Sequence, residues 1–398
     1  MSYIAIIYFV FQWTTVFFLY IYGRKIDNLP TGENDENRRY WKLAVVPIIT
    51  YALFLGLRWG RDIDYNIYAE RYSAIDDIFS EAGRSSPLFT SIVLILKAIG
   101  VPYQLFIILQ SGFLMFSALF FLRDFRGYFR WILPMLMVAF AANDNLIRYF
   151  FAQSFMFIAL YYYNHDCLMK FLLYSICAGL VHFGLIPFAL FVLCSKYLKK
   201  FFLPRIPVLF IFVAALFMVS ISQMSFLVIV ATYLSSLFGE TDYTMVAYLN
   251  AMDDIINGTG EGGTLIFTSS LTNKIKSILT FVPLIYCGKV VLNDEKYGKY
   301  IYNMAVINVI LSTVLGQAEV LSRFMFSFNI YVVIILAILI SKWRCLISER
   351  FSLYAYCILF FYCFALVTAP FVRQDYQMYF LWDSNGSITN WAPYDNII

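Results

Sequence analysis

Apolar runs of membrane-spanning length recur along the whole chain, and they constrain its fold more than any other feature. A transmembrane helix needs roughly 20 apolar residues. Runs close to that length cover residues 3–22, 43–57, 103–122, 205–231, 275–292, 300–316, 324–341 and 351–371, and shorter runs lie between them. Together they predict an all-α polytopic membrane protein with roughly 10–12 transmembrane helices.

The composition supports the same class. The chain is 61% hydrophobic and 14% charged, with a mean hydropathy of +0.72, so it carries more apolar surface than a soluble protein of this size could bury. The net charge of +4 is mild, and a nucleic-acid binder would show a basic stripe outside the lipid, so we expect no nucleic-acid partner. Nothing resembles a separate soluble part, and we expect a single integral membrane domain over residues 1–398.

Clusters of lysine and arginine in short loops predict which loops lie on the cytoplasmic side. The clusters expected inside are Arg24, Lys25, Arg38, Arg39 and Lys42; Arg123, Arg126 and Arg130; Lys196, Lys199, Lys200 and Arg205; Lys289, Lys296 and Lys299; and Lys342, Arg344 and Arg350. This arrangement requires residues 88–99 to be re-entrant or interfacial, and residues 168–194 to form a hairpin of two short helices with its tip near His182. Broken helices at membrane depth are tolerated where they line a cavity or are buried in protein, so the hairpin indicates a site.

Most of the remaining polar segments are then external. They include residues 58–86, the segment 232–274 and the C-terminal tail 372–398. The segment 232–274 contains several glycines and acidic residues and is too long for a bare connector. We therefore expect it to be a long external loop that acts as a lid or binds substrate.

The densest group of polar side chains follows the second apolar run. It contains two arginines, two acids and two tyrosines, namely Arg58, Arg61, Asp62, Asp64, Tyr65 and Tyr68. If the stretch is helical, Arg58, Asp62 and Tyr65 share one face. The pattern is consistent with an interfacial belt of arginines and local ion pairs, and equally with a substrate site. A metal-binding pair at Asp62 and Asp64 is the less favoured alternative, and we predict no metal.

Two further arginines begin apolar runs at predicted external ends. One is Arg148, and the other is Arg323, which follows Glu319 by one helical turn. Taken singly, Arg148 is consistent with a side chain that reaches to the interface, and Arg323 with an ion pair to Glu319. Several arginines on one membrane face instead favour phosphate binding, because the planar guanidinium forms paired hydrogen bonds to phosphate oxygens.

His182 is one of only two histidines and lies at the tip of the predicted hairpin. A lone histidine in an apolar setting is usually a structural hydrogen-bonding residue, whereas an ionisable group within a membrane segment favours a functional role. Both interpretations stay open for His182. His165 lies beside Asp166 in a predicted inner loop, and we expect it to be structural.

The order of these short motifs resembles the EpsG-type branch of the Wzy-like bacterial polymerases of O-antigen, capsule and exopolysaccharide. The matching positions are Arg58, Gly60, Asp64 and Tyr65 after the second helix, Ile147-Arg148 opening a middle helix, His182 before apolar or small residues, and Arg323 starting a late helix. The resemblance spans most of the chain.

This resemblance implies a metal-independent, GT-C-like glycosyltransferase that uses no cofactor and has its active site on the outer face of the bacterial plasma membrane. The implied reaction transfers a growing glycan from undecaprenyl pyrophosphate to a lipid-linked oligosaccharide repeat unit. The implied partners are these lipid-linked substrates, the lipid bilayer, a chain-length regulator and a flippase.

The resemblance also implies roles for individual residues. Arg58, Arg148 and Arg323 would bind the pyrophosphate, because fixed guanidinium groups stabilise the charge that the leaving group gains in the transition state. His182 or Asp64 would serve as the base or as an orienting group. Further candidate substrate-binding residues are Arg61, Asp62, Tyr65, Tyr68 and Glu319.

Two other functional classes stay open. The first is a flippase or other transporter of lipid-linked oligosaccharides, which should carry charges near the bilayer midplane and show related halves. In this sequence the charges crowd the outer ends of the apolar runs, and no repeat is visible. The second is a membrane O-acyltransferase, which would favour a histidine buried toward a cytoplasmic acyl donor.

The predicted orientation can be tested with single cysteines. Cysteines placed at Asn257 and Asn385, in a background that lacks the native cysteines, should react with an impermeant thiol reagent in whole cells, because both positions are expected outside. A cysteine at Lys200, which is expected inside, is the matched control and should react only after the membrane is opened. Protection of both external positions in intact cells would contradict this topology.

Overall fold

The structure, a computed structural model, describes residues 3–30, 36–59, 64–77, 86–144, 146–218, 271–315, 324–346 and 379–380. Outside short turns, these residues are helical apart from one two-residue pair of strands. The prediction of an all-α membrane protein is confirmed. By length and apolar composition, two of the described helical stretches could cross a membrane, Tyr103–Ala139 and Phe324–Lys342.

The helices and strands follow one another in a simple order. They are α1 (Tyr3–Asp27), α2 (Glu36–Gly56), β1 (Arg58–Trp59), α3 (Asp64–Ala74), α4 (Pro87–Ala98), α5 (Tyr103–Leu122), α6 (Phe129–Ala139), α7 (Ile147–Asn164), α8 (Leu168–Val181), α9 (Ile186–Cys194), α10 (Arg205–Met218), α11 (Leu271–Val291), α12 (Gly298–Leu315), α13 (Asn329–Leu346) and β2 (Tyr379–Phe380). Short 3-10 turns lie before α6, α7 and α9 and after α9.

The chain divides into two compact units. Unit 1 contains Met1–Leu190 and Leu359–Ile398, and unit 2 contains Phe191–Ile358. The expectation of one integral membrane domain stays a prediction. The candidate residues whose side chains are described all lie in unit 1.

Unit 1 is a bundle in which α1 packs against α2 and α6, α2 against α5, α5 against α7, and α7 against α8. Aromatic contacts join the helices: Phe121 of α5 stacks on Phe157 of α7 at 6.2 Å between ring centroids, and Phe113 meets Phe155 edge to face at 5.1 Å. Lipid tails are as apolar as these side chains, so close packing, rather than exclusion of water, holds such helices together.

The helices of unit 2 also pack closely against one another. In unit 2, α12 packs against α13, and α10 and α11 pack against both each other and α12. Asn303 of α12 ties the chain before α10 in place, because its side-chain amide donates to the carbonyls of Leu198 and Phe201 and accepts from the backbone N–H of Leu203. One buried amide thereby satisfies three backbone groups that have no helical partner.

Ion pairs join the helix ends of unit 1 that carry predicted cytoplasmic arginines. Arg130, at the start of α6, pairs with Asp27, at the end of α1, and Arg126 pairs with Glu36, in the first turn of α2. The Asp27 carboxylate also accepts the backbone N–H of Arg130 at 3.2 Å. The predicted grouping of these loops agrees with their common position in the structure. We call this the basic end of unit 1.

The chain between α8 and α9 is broken where the sequence predicts two short helices. His182 has an extended backbone (φ −153°, ψ 109°), and a 3-10 turn over Phe183–Leu185 leads into α9. Pro187 favours a break here, because its ring would clash with the carbonyl of Phe183 in a continuous helix. The predicted break at His182 is confirmed.

Helix α4 is too short to cross a bilayer, since its 12 residues rise roughly 18 Å at about 1.5 Å per residue. It ends in a Schellman motif in which Gly100 has a positive φ of 77° and the N–H groups of Gly100 and Val101 bond to the carbonyls of Lys97 and Leu96. The re-entrant or interfacial placement of residues 88–99 stays a prediction.

The contact between α1 and α6 depends on Gly23. A Cβ added there would contact the carbonyl oxygen of Phe129 and lie 2.7 Å from its carbonyl carbon and 2.8 Å from the backbone nitrogen of Arg130. Backbone atoms cannot rotate away as side chains can, so Gly23→Ala should push the helices apart. We expect a loss of about 1–3 kcal/mol in the free energy of unfolding.

Thermal unfolding in detergent, followed by circular dichroism, measures this effect. Gly127→Ala is the matched control, because a Cβ at Gly127 meets no atom within 4 Å. We expect that control to stay within about 0.5 kcal/mol of the wild type. Equal stability of the two variants would show that α1 and α6 do not approach so closely.

Candidate functional site

A pocket opens at the end of unit 1 where α7 begins. Helix α3 contributes Tyr68, Arg71 and Tyr72, whose spacing of three and four residues from Tyr68 places them on one helix face, and Ile75 follows directly after the helix. The other lining residues are Phe89 of α4, Tyr103 and Phe106 of α5, and Arg148 of α7. The empty volume is about 340 Å³ and includes open solvent. We call this the α3–α7 pocket.

Helix α3 is held over the bundle by contacts at its C-terminal end. The ammonium of Lys97 donates to the carbonyls of Ser73 (2.9 Å) and Ile75 (2.7 Å), which is the favourable place for a cation at a helix C-terminus. The hydroxyl of Tyr72 donates to the carbonyl of Val101 at 2.7 Å. These bonds fix the helix face that carries Tyr68 and Arg71.

Arg148 lies at the junction of α3, α4 and α7. Its Nη1 donates to the hydroxyl of Ser86 at 3.2 Å, and its guanidinium carbon lies 5.8 Å from the centroid of the Tyr68 ring. The Nε atom of Arg148 is buried and has no hydrogen-bond partner among the described residues. A buried donor without a partner costs free energy, so a site that retains one is suited to an acceptor that arrives with a ligand.

Ser86 supports Arg148 instead of its own helix. It is the N-cap residue of α4, yet its side chain makes no capping hydrogen bond there. The hydroxyl is buried and accepts from Arg148. A capping bond commonly contributes about 1 kcal/mol to stability. Ser86 bonds to Arg148 instead of capping α4, which indicates that the structure favours a fixed position for the Arg148 guanidinium.

The start of α7 adds to the positive potential. Arg148 is the second residue of this 18-residue helix, and the N-cap residue Leu146 supplies no side-chain hydrogen bond. The N-terminus of a helix carries a partial positive charge and N–H groups without helical partners. An anion near Arg148 would therefore meet both the guanidinium and the helix end.

His182 lies at the same end of the bundle, beside α7. Its ring meets the ring of Tyr149 edge to face, with centroids 5.5 Å apart, and Tyr149 directly follows Arg148. The Nδ1 of His182 accepts the backbone N–H of Gly184 at 3.1 Å. A ring nitrogen that accepts a hydrogen bond carries no proton, so the proton of the neutral imidazole is on Nε2.

The structure describes only part of the predicted site. Arg148, His182 and Tyr68 lie at one end of unit 1, as the sequence predicts. Arg58 lies in β1, whose residues pair with Phe380 and Tyr379 of β2. The conditional helix that would put Arg58, Asp62 and Tyr65 on one face therefore does not begin at Arg58.

The structure describes less of the other predicted residues. Asp64 and Tyr65 form the first turn of α3, one turn before Tyr68, and only their backbone is described. The residues Arg61, Asp62, Glu319 and Arg323 lie outside the described residues. Their predicted roles stay predictions.

Sequence reasoning missed Arg71 and Ser86. A signal for Arg71 was present, since it follows Tyr68 by three residues and therefore shares a helix face with it. Ser86 precedes Pro87, which is the pattern of a helix N-cap and predicts a structural role. That pattern gives no sign of the contact between Ser86 and Arg148, which lies 62 residues later in the chain.

No metal site is apparent in the described part of the chain. Within those residues, no three His, Cys, Asp or Glu side chains are grouped in a way that could hold a metal ion. Side chains that carry hydrogen-bond donors, not metal ligands, characterise the α3–α7 pocket. Metal independence itself stays a prediction.

Fold and site together define a class, a polytopic all-α membrane protein with an arginine-bearing pocket at one end of its helices. The chain belongs to the EpsG family, whose match covers residues 41–383. This is a family of polysaccharide polymerase-like membrane proteins, and the chain is a membrane protein of that type. The comparisons with curated proteins and with solved structures gave no match.

The two histidines of the chain should show opposite neutral tautomers. His165 Nδ1 lies 2.9 Å from the carbonyl of Tyr161, which can only accept, whereas its Nε2 lies 3.4 Å from a carboxylate oxygen of Asp124, so the neutral ring should carry its proton on Nδ1, at the closer acceptor. His182 should instead carry its proton on Nε2. Nitrogen NMR of histidine-labelled protein at a pH where both rings are neutral distinguishes them, and a His165→Gln variant assigns the signals.

Gly184→Ala should disturb only the signal of His182. A Cβ at this position would lie 2.8 Å from both Cε1 and Nδ1 of the ring, so the ring must move and lose its hydrogen bond. We expect a mixture of tautomers in this variant and an unchanged spectrum in Gly127→Ala. An Nδ1-protonated His182 in the wild type would contradict the geometry.

Proposed function

We propose that this protein polymerises glycans by transferring a growing chain from undecaprenyl pyrophosphate to a lipid-linked oligosaccharide repeat unit at the outer face of the bacterial plasma membrane. The observation that carries the proposal is the environment of the Arg148 guanidinium. This guanidinium is fixed by Ser86, lies at a helix N-terminus and keeps a buried Nε without a described partner. Membership of the EpsG family supports the substrate class.

In this reaction the oxygen of an acceptor hydroxyl forms a bond to the anomeric carbon of the donor glycan. The bond from that carbon to the pyrophosphate oxygen breaks, and the pyrophosphate leaves with the electron pair. The leaving group gains charge as the bond breaks, so a guanidinium that is already in place stabilises the transition state more than the ground state. Arg148 has this role, and Arg58 and Arg323 are the proposed further contacts.

The acceptor hydroxyl loses a proton, which requires a base. Because Nδ1 of neutral His182 accepts from Gly184, the ring presents its proton at Nε2 and is suited to donate a hydrogen bond. We therefore assign His182 to orienting a substrate oxygen and Asp64 to accepting the proton. Asp64 begins the same helix that carries Tyr68 and Arg71 into the pocket, which supports this choice.

The pocket walls suit a site at the lipid interface. Aromatic rings from three helices surround the arginines, namely Tyr68, Tyr72, Phe89, Tyr103 and Phe106. Such rings tolerate both lipid and water, and they lower the local dielectric constant around a bound anion. The isoprenoid chain of the substrate would extend from this site into the bilayer.

A reconstitution assay tests the proposal. Purified protein in liposomes, given a lipid-linked repeat unit, should convert it into a ladder of longer glycans with release of undecaprenyl pyrophosphate. Translocation of the lipid-linked unit without lengthening would favour the transporter alternative. Neither lengthening nor release of the lipid carrier would contradict the proposal.

Within that assay, Arg148→Lys should fail nearly as badly as Arg148→Ala. Lysine keeps the charge but lacks the planar fork that bonds both to Ser86 and to a phosphate. We expect rates at least ~100-fold below the wild type, the scale of losing one fixed transition-state donor. Arg38→Lys, at an exposed arginine of α2, is the matched control and should elongate normally. Full-length polymer from Arg148→Lys would show that Arg148 needs only its charge.

A further inference from the structure

Arg71 is the second arginine of the α3–α7 pocket, and the proposed reaction does not use it. Its side chain is exposed and lines the same pocket as Arg148. Across the described ranges, its guanidinium takes part in no hydrogen bond or ion pair. It therefore differs from Arg126 and Arg130 at the basic end, which pair with Glu36 and Asp27.

The described lining of the pocket carries charge of one sign. Two of the described lining residues are arginines, and none of the described lining residues is acidic. An unpaired arginine on a solvated surface usually needs no explanation. Here, however, two guanidinium groups and the N-terminus of α7 share one small space, where like charges raise the free energy until an anion enters. The arrangement is suited to a ligand with more than one negative charge.

The two arginines differ in how firmly they are held. Arg148 is half-buried and bonded to Ser86, so its position is set by the bundle. Arg71 is exposed, and no described residue forms a bond that holds its guanidinium, so its long side chain can follow a ligand. One fixed and one adaptable guanidinium can each bind one phosphate group of a diphosphate, whereas a monophosphate would occupy mainly the fixed one.

We infer that Arg71 is a specificity-determining residue, which makes the α3–α7 pocket select a lipid diphosphate over the monophosphate of the same lipid. The inference rests on the proposed function, because it assigns the pyrophosphate of the substrate to this pocket. Its consequence is a site that binds the diphosphate-linked donor more tightly than a lipid monophosphate. Arg71 acts here by binding and takes no part in proton transfer.

Farnesyl diphosphate and farnesyl monophosphate are suitable probes, because they share one isoprenoid chain and differ by one phosphate. Binding of each to the full-length protein in nanodiscs is measured by calorimetry, with empty nanodiscs as the background. The wild type should bind the diphosphate ~10- to 100-fold more tightly than the monophosphate, the range expected for an added charged hydrogen-bonding contact. Arg71→Ala and Arg71→Gln should each lose most of that preference by weakening only the diphosphate.

Two further variants complete the comparison. Arg148→Ala should weaken both probes, because it removes the fixed guanidinium. Arg38→Ala removes one exposed arginine from α2, away from the pocket, and should bind both probes as the wild type does. Unchanged melting temperatures for the two Arg71 variants would exclude a loss of fold as the cause.

The outcomes separate the inference from the proposed function. If the wild type prefers the diphosphate and both Arg71 variants keep that preference, the role of Arg71 is wrong and the proposed function stands. If the wild type binds neither probe above the empty nanodiscs, or binds both equally, the diphosphate assignment of this pocket fails and the inference fails with it.

Discussion

Helix α7 is buried around almost its whole circumference, and the candidate site depends on that burial. Fifteen of its 18 residues are buried, against α5 on one side and α8 on another. A helix packed in this way cannot shift without disturbing its neighbours. Arg148, the second residue of α7, is therefore fixed by the bundle. The next residue, Tyr149, contacts the ring of His182 edge to face and so restricts the position of that ring as well.

The two ends of unit 1 treat arginine differently. At the basic end, Arg126 and Arg130 pair with acids, and these pairs tie together α1, α2 and α6. At the α3–α7 pocket, Arg148 has a neutral hydroxyl as its partner and Arg71 has none among the described residues. The exposed guanidinium of Arg71 is solvated and needs no partner, whereas the buried Nε of Arg148, which has no partner among the described residues, costs free energy until a ligand satisfies it.

His182 illustrates how a local break in a helix shapes chemistry. Pro187 disfavours a continuous helix, the chain adopts an extended conformation at His182, and the absence of a side chain at Gly184 lets the ring approach the backbone. The resulting hydrogen bond from Gly184 to Nδ1 favours the neutral tautomer with its proton on Nε2. This tautomer supports the proposal that His182 donates a hydrogen bond to a substrate oxygen and that Asp64 is the base.

The sequence by itself determined the class of fold, because runs of roughly 20 apolar residues have few other uses, and the order of short motifs determined the family. It also predicted the break at His182 and placed Arg148 among the candidate site residues, since proline, glycine and charge within apolar runs have local physical consequences. Only the tertiary structure showed that Ser86 holds Arg148 and that Arg71 faces the same pocket. The reason is that these contacts join helices far apart in the chain, and helical periodicity specifies which residues share a face but not which faces meet.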